Sequence, residues 1–205
     1  MSDIIIDSLY FNYGDRVIFE NYNAVISQNV TTVLMGPSGA GKTTLINLLM
    51  GLEIPVSGSI KGVPKRKSAV FQEDRLFEGF SAMANIRAAA GKYADNSRIE
   101  QVLDALGIGD EKNKSVSEFS GGMRRRVAIA RALCASADIV FMDEPFKGLD
   151  EGNKKTVMEY VKAQCLSRTL IIVTHDKGEA AFMGGICFFW GRRWFFGVIV
   201  FFGGW

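Results

Sequence analysis

The stretch GPSGAGKTT, Gly36 to Thr44, constrains this chain more than any other. It matches the pattern G-x-x-x-x-G-K-[ST], and both flanks are right for it. The short β-branched run TTVLM precedes it, and the apolar helix-forming run KTTLINLLMGL opens from its end. A buried strand that turns through glycines straight into a helix begins a crossover unit, so the pattern commits the chain to a parallel sheet. The chemistry is equally specific. Gly39 and Gly41 let backbone amides curl around phosphate oxygens, Lys42 brings a charge to the β and γ phosphates, and the Thr43 hydroxyl is a ligand for Mg²⁺. The expected phosphate cradle is Gly36, Pro37, Ser38, Gly39, Ala40, Gly41, Lys42, Thr43 and Thr44.

The rest of the chain extends that plan. DIIIDSLYFNY and RVIFENYNAVIS read as a hairpin turning at Gly14–Asp15. SGSIKG and SAVF read as short strands. From about residue 81 to 119 the pattern becomes helical, with AMANIRAAAGKYA followed by SRIEQVLDALGI. DIVFMDEP and TLIIVTHD are apolar strands that end in polar residues, and EGNKKTVMEYVKAQCLS and KGEAAFMG are helices. The expected fold is α/β: a P-loop NTPase with a mostly parallel core sheet, an N-terminal antiparallel β subdomain and an inserted α-helical subdomain. One domain is expected over residues 1–205, its core in 1–80 and 120–205 and its helical part in about 81–119.

Parallel sheets bind ligands at the carboxyl ends of their strands, which is where the glycine loop, DE and THD fall. Asp143 ends a buried strand, where a lone carboxylate is costly and a Mg²⁺ ion is a natural partner. Glu144 beside it is free to take a proton from an attacking water. Taken alone, DE after an apolar strand reads equally well as a capped strand end. His175, the single histidine, ends LIIVT, and Gln72 follows SAVF; each alone is a weak signal. A second helix start appears in FSGGMRRR, Phe119 to Arg126, where Ser120 is a good N-cap and two glycines leave the backbone bare. That gives one chain two anion sites at helix ends.

Composition excludes other classes. At 48% hydrophobic and 22% charged, the chain is not disordered. Three widely spaced cysteines and one histidine make neither a zinc site nor a disulfide framework, which fits a reducing compartment. A net charge of +2 argues neither for nor against nucleic acid. The basic run Lys61 to Lys67 reads as a solvated loop. The N-terminus lacks the features of a secretory signal. The Phe- and Trp-rich tail is split by Arg192 and Arg193 and reads as two strands, Ile186–Trp190 and Trp194–Phe202, around a GRR turn. An interfacial anchor and an altered reading frame are the other readings of it.

Taken in order, these motifs resemble the ATP-binding cassette family, the nucleotide-binding subunits of ABC transporters, over nearly the whole chain. In that resemblance GPSGAGKTT is similar to Walker A, Gln72 to the Q-loop glutamine, FSGGM to the signature and IVFMDE to Walker B with Glu144 as the catalytic base. GLD, Gly148 to Asp150, is similar to the D-loop, His175 to the switch histidine, and Tyr13 to the aromatic that stacks on adenine. The signature departs from the usual form at Phe119 and Met123. The resemblance implies ATP and Mg²⁺ as cofactors, with Thr43, Gln72 and Asp143 toward the metal and catalytic parts for Glu144, His175, Gln72 and Lys42. It implies that two cassettes pair head to tail, with Ser120, Gly121 and Gly122 of one closing over the phosphate held by the other, and with Asp150 at the nucleotide. FQEDRL and SGGM look most like the importer branch for nitrate, sulfonate and taurine. Expected partners are transmembrane permease subunits, a second cassette in a homodimer or a paired subunit, and a solute-binding protein, at the cytoplasmic face of the cell membrane. Leu76, Phe77 and Phe80 are expected to form an apolar groove for a permease helix or to pack in the helical part. Cassettes acting on nucleic acid or ribosomes usually carry a long coiled coil, zinc cysteines or a second cassette. None is present, so nucleic acid is not an expected partner. That class and an ATP-binding subunit without turnover are the alternatives.

Overall fold

The computed structural model describes residues 2–91, 95–190 and 195–201, with side chains through residue 188. The chain begins with β1 (Ile4–Tyr13) and β2 (Arg16–Ile26), which pair antiparallel as the expected hairpin, Tyr13 opposite Arg16 across the Gly14–Asp15 turn. β4 (Ser57–Lys61) adds to the other side of β1 and completes a three-stranded sheet in the order β2-β1-β4.

The larger sheet has the order β5-β6-β7-β3-β8-β9. It consists of β3 (Thr31–Met35), β5 (Lys67–Val70), β6 (Ile139–Asp143), β7 (Thr169–Val173), β8 (Gly185–Trp190) and β9 (Phe195–Phe201). All its pairings are parallel except β8 with β9. Every residue of β6 and β7 is buried, as expected for parallel strands covered on both faces. Period-two alternation then sorts their side chains. Val140, Met142, Leu170 and Ile172 join Val33 and Met35 in the core beneath the helices. Ile139, Phe141, Ile171 and Val173 join Leu34 in a second core against the antiparallel sheet and α1 (Lys42–Met50). The sheet is therefore a partition between two cores, with β3 in its interior.

Between β5 and β6 lie α2 (Ala82–Ala90), α3 (Asn96–Ala105), a 3₁₀ turn (Val116–Glu118) and α4 (Gly121–Cys134). The run expected to be helical through Ala94 stops at Ala90 before Gly91, and residues 92–94 lie outside the described part. Fully buried Asn85 staples the approach to α2: its Oδ1 accepts from the Phe77 amide at 2.8 Å, and its Nδ2 donates to the carbonyls of Phe77 and Ser81, both at 3.1 Å. α5 (Glu151–Gln164) and α6 (Lys177–Met183) complete the order.

Two expectations change. Lys67, read as part of a solvated loop, instead donates from Nζ to the Leu49 and Met50 carbonyls, both at 3.0 Å, and so caps the open end of α1. Arg66 of the same run pairs with Asp138. Leu76 packs in the core at 9% exposure, whereas Phe77 and Phe80 stay exposed and meet edge to face at 6.1 Å. In the tail, the two strands form and pair antiparallel, and β8 docks parallel to β3. The GRR turn, Trp194 and Phe202 lie outside the described residues. Among the described residues, no helix is long and apolar enough to cross a membrane.

Candidate functional site

The glycine loop joins β3 to α1. Gly41 takes a left-handed φ of 100° and caps α1 without any side-chain hydrogen bond. A Cβ there would stand 2.8 Å from Ile18 Cγ2, so the position accepts only glycine without local rearrangement. With no cap side chain, the first-turn amides of α1 face the loop, which is the arrangement that binds anions. Lys42, 8% exposed, folds back over this loop and donates to the Gly36 and Pro37 carbonyls at 2.7 and 2.9 Å. Burial pushes its pKa down, and the charges of Glu144 and Asp143 oppose that shift.

β6 delivers the carboxylates. Thr43 Oγ1 donates to Asp143 Oδ2 at 2.6 Å. The other oxygen, Oδ1, is buried without a hydrogen-bond partner among the described residues. Burial is the main influence on the Asp143 pKa and raises it, against the Thr43 hydrogen bond that lowers it. An orphaned buried oxygen beside a hydroxyl is costly as it stands, and an oxygen-preferring divalent cation is the partner that suits both groups. The residues present therefore fit Mg²⁺.

Glu144 follows with φ of 50°, a left-handed conformation that costs a non-glycine residue roughly 1–3 kcal/mol. Its amide donates to the Val173 carbonyl at 2.9 Å, locking it to the end of β7. The side chain meets His175 from the same strand end, where Nδ1 lies 2.9 and 2.8 Å from the two carboxylate oxygens. Carboxylate oxygens accept, so this contact suits an Nδ1 that carries hydrogen. The His175 side chain is 66% exposed and that of Glu144 11%.

Gly39, Gly41, Lys42, Thr43, Asp143 and Glu144 border one cleft of about 210 Å³, which Tyr13, Ser38, Thr44 and Gln72 also line. Tyr13 stands at its edge, 44% exposed, and its hydroxyl donates to Glu53 at 3.1 Å. Burial raises the phenol pKa, partly offset by Thr44. The structure thus gathers the glycine loop, Gln72, Asp143 and Glu144 around one space, with His175 joined through Glu144.

A second group stands apart from that cleft. Ser120 Oγ caps α4, accepting from the Met123 amide at 3.3 Å, and Gly121 follows it, exposed. Gly122 faces the Gly148 carbonyl and Leu149. Asp150 caps α5, accepting from the Asn153 amide at 3.1 Å and from its Nδ2 at 2.6 Å. Within one chain, Ser120, Gly121, Gly122 and Asp150 do not line the cleft.

Two cations at the site escaped the sequence reading. Arg16 Nη2 donates to the Gly39 carbonyl at 3.0 Å and lines the cleft. Arg125 lies behind it, 4% exposed. A signal for Arg125 was present: it shares a stripe with Ala128, Ile129 and Ala132, so its spacing puts a cation on the apolar face of α4.

The profile of the family described as ABC transporter matches residues 19–147. The chain is similar to the intermembrane phospholipid transport system ATP-binding protein MlaF of Haemophilus influenzae, 34% identical over 199 residues that cover 86% of this chain and 75% of that protein. It is also similar to the taurine import ATP-binding protein TauB of Jannaschia sp., 33% identical over 187 residues, 84% of this chain and 70% of that protein. A third relative is the aliphatic sulfonates import ATP-binding protein SsuB 3 of Rhodococcus jostii, 34% identical over 175 residues, 82% and 64% of the two chains. Among solved structures, a bacterial Atm1-family ABC exporter with ATP bound shares the fold with a TM-score of 0.88 at 22% identity, covering 97% of this chain and 39% of that one. With its phosphate loop, its acidic strand end and its second glycine-led helix all within one α/β frame, the chain belongs to the ABC transporter family, as one of its ATP-binding ATPase domains.

Proposed function

We propose that this chain binds Mg²⁺-ATP in the cleft and hydrolyses it to drive a small-solute importer. One observation carries the reading. Thr43–Asp143 at 2.6 Å and Glu144–His175 at 2.8 Å meet at the carboxyl ends of β3, β6 and β7, beside a loop built for phosphate. The loop amides and Lys42 hold the phosphates, and Lys42 exchanges its carbonyl partners for phosphate oxygens. Tyr13 stacks on the adenine. Glu144 accepts a proton from the water that attacks the terminal phosphorus, and His175 orients its carboxylate. Thr43 and Asp143, with Gln72 nearby, would hold Mg²⁺, which neutralises phosphate charge when bound.

The exposed start of α4 supports a paired state. Ser120, Gly121 and Gly122 of one chain close over the terminal phosphate bound by a second cassette, with Asp150 near the same junction, so ATP joins the two and hydrolysis releases them. Whether the second cassette is an identical copy or a paired subunit, it works with transmembrane permease subunits at the cytoplasmic face of the membrane. Exposed Phe77 and Phe80 present apolar surface for a permease helix. The names of the taurine and sulfonate relatives support import, and with it a solute-binding protein as a further partner. The solute is left to those partners.

Light scattering of Glu144→Gln tests the paired state. A dimer formed with Mg²⁺-ATP and lost on adding Ser120→Arg is the expected result. A monomer under every condition overturns pairing by the isolated chain.

A further inference from the structure

The three consecutive arginines of α4 divide its surroundings among them. Arg124 pairs with Glu78. Arg126 donates from Nη1 to the Leu106 and Gly107 carbonyls at 2.8 and 3.0 Å, holding the helical insertion. Arg125 turns instead toward the carboxyl edge of the core sheet. Its Nε donates to the Pro145 carbonyl at 3.1 Å. Nη1 reaches the carbonyls of Phe71 at 2.5 Å and Gln72 at 3.4 Å, and Asp74 Oδ1 at 2.9 Å. Nη2 donates to the carbonyls of Asp143 at 3.1 Å and Glu144 at 2.6 Å.

These partners come from the ends of β5 and β6, which are far apart in sequence and neighbours in the sheet. A planar guanidinium with five donors in fixed directions can hold both strand ends at once, whereas an ammonium is a point charge. Apart from Asp74 the contacts are to backbone, so they act on where the Gln72 and Glu144 side chains start, not on what those side chains touch. At Glu144 the effect is greatest. Its amide is held by Val173 and its carbonyl by Arg125, so a left-handed residue is fixed from both sides.

We propose that Arg125 is a positioning residue for ATP hydrolysis: from the second turn of the helix that begins at Ser120, it fixes the backbones of Gln72 and Glu144 relative to each other. It thereby sets where the Glu144 carboxylate meets the attacking water. The start of α4, which pairing presses upon, is thus mechanically joined to the base. The proposal rests on the reading of Glu144 as that base.

The test is steady-state ATP hydrolysis by the full chain carrying Arg125→Gln or Arg125→Lys, with thermal unfolding measured alongside. Expected for Arg125→Gln is a fall in kcat of about 100-fold, the scale of a small misplacement of a reacting group, with KM for ATP changed by less than about threefold. Arg125→Lys keeps the charge without the fork and restores only a minor part of kcat. In the Glu144→Gln background, Arg125→Gln lowers the residual rate by less than roughly twofold, because the group it positions is already gone. A wild-type kcat in Arg125→Gln overturns the proposal. So does a loss confined to KM, a full additional loss in the double variant, or failure of both single variants to fold, which assigns Arg125 to stability alone. The base reading is judged separately: it fails when Glu144→Gln by itself keeps wild-type kcat.

Discussion

At the scale of single residues, the cleft combines groups whose neighbours hold them in unusual states. Lys42 is buried and bonded to carbonyls, Asp143 has one oxygen satisfied and one orphaned, and Glu144 has a left-handed backbone. Phosphate charge suits the buried cation and a divalent cation suits the orphaned oxygen, whereas the Glu144 backbone is held by Val173 and Arg125. Tyr13 differs in being exposed at the cleft edge, with its ring against Phe11 at 4.9 Å and its hydroxyl on Glu53. Stacking of a base on an aromatic ring is worth about 1–3 kcal/mol by alanine substitution. Tyr13→Ala is therefore expected to raise the Kd for ATP by roughly 5- to 160-fold, while binding of inorganic triphosphate changes little; equilibrium titration of both ligands checks it. Equal losses for the two would mean that Tyr13 shapes the loop and does not read the base. Lys42 and Thr43 were legible as chemistry because their spacing along one strand–loop–helix unit is fixed by local backbone geometry, and Asp143 because a carboxylate ends an apolar strand. Arg16 was not legible, and of Arg125 only its place on an apolar stripe was, since the partners of both lie in segments that only the fold brings near.

At the scale of elements, the helix starts explain both stability and the loop's function. Ser81, Asp95, Ser120, Asp150 and Asp176 each cap a helix with a side chain, and α1 alone among these helices begins bare. The bare start is the one that faces the cleft. The α6 cap does more than end a helix. Asp176 Oδ1 accepts from the Gly178 and Glu179 amides, and Oδ2 accepts from Lys154 of α5 at 3.0 Å. Lys154 also pairs with Glu179 at 2.9 Å, and Thr174 Oγ1 donates to the other oxygen of Glu179 at 2.5 Å. This network flanks His175 on both sides. The Lys154 hydrogen bond, followed by that of the Glu179 amide, holds the Asp176 pKa below its ordinary value. A depressed folded pKa contributes stability that is present above the unfolded value, about pH 4, and is lost as pH falls through the folded one. Asp176→Asn is thus expected to narrow the difference in urea midpoint between pH 7 and pH 3, and Asp176→Ala to cost about 1 kcal/mol at pH 7 through the lost cap. An unchanged pH dependence in the Asn variant would remove Asp176 from the acid-sensitive groups. The caps and the helical periods were readable along the chain, because both are local. The end of α2 at Ala90 was overestimated, since alanine-rich periodicity outran the break at Gly91.

At the scale of the whole molecule, one sheet separates two cores, and the ligand cleft lies at its carboxyl edge. Phe141 is fully buried in β6, two residues before Asp143. Phe141→Ala is expected to cost about 3–5 kcal/mol in chemical denaturation, from lost burial and the cavity left behind. A loss below about 1 kcal/mol would mean that the second core closes over the gap. The sequence by itself determined the α/β class and the order of strands and helices, and it named the candidate residues for phosphate and proton chemistry. Those features depend on neighbours within a few positions, where the chain's geometry leaves little freedom. Only the tertiary structure decided that β8 docks beside β3, that Lys67 caps α1, that Leu76 is covered while Phe77 and Phe80 are not, and that Arg125 ties two strand ends to one helix. Each of these is a choice among partners distant in sequence, settled by which polar groups the packed sheet leaves unsatisfied and which side chains can reach them.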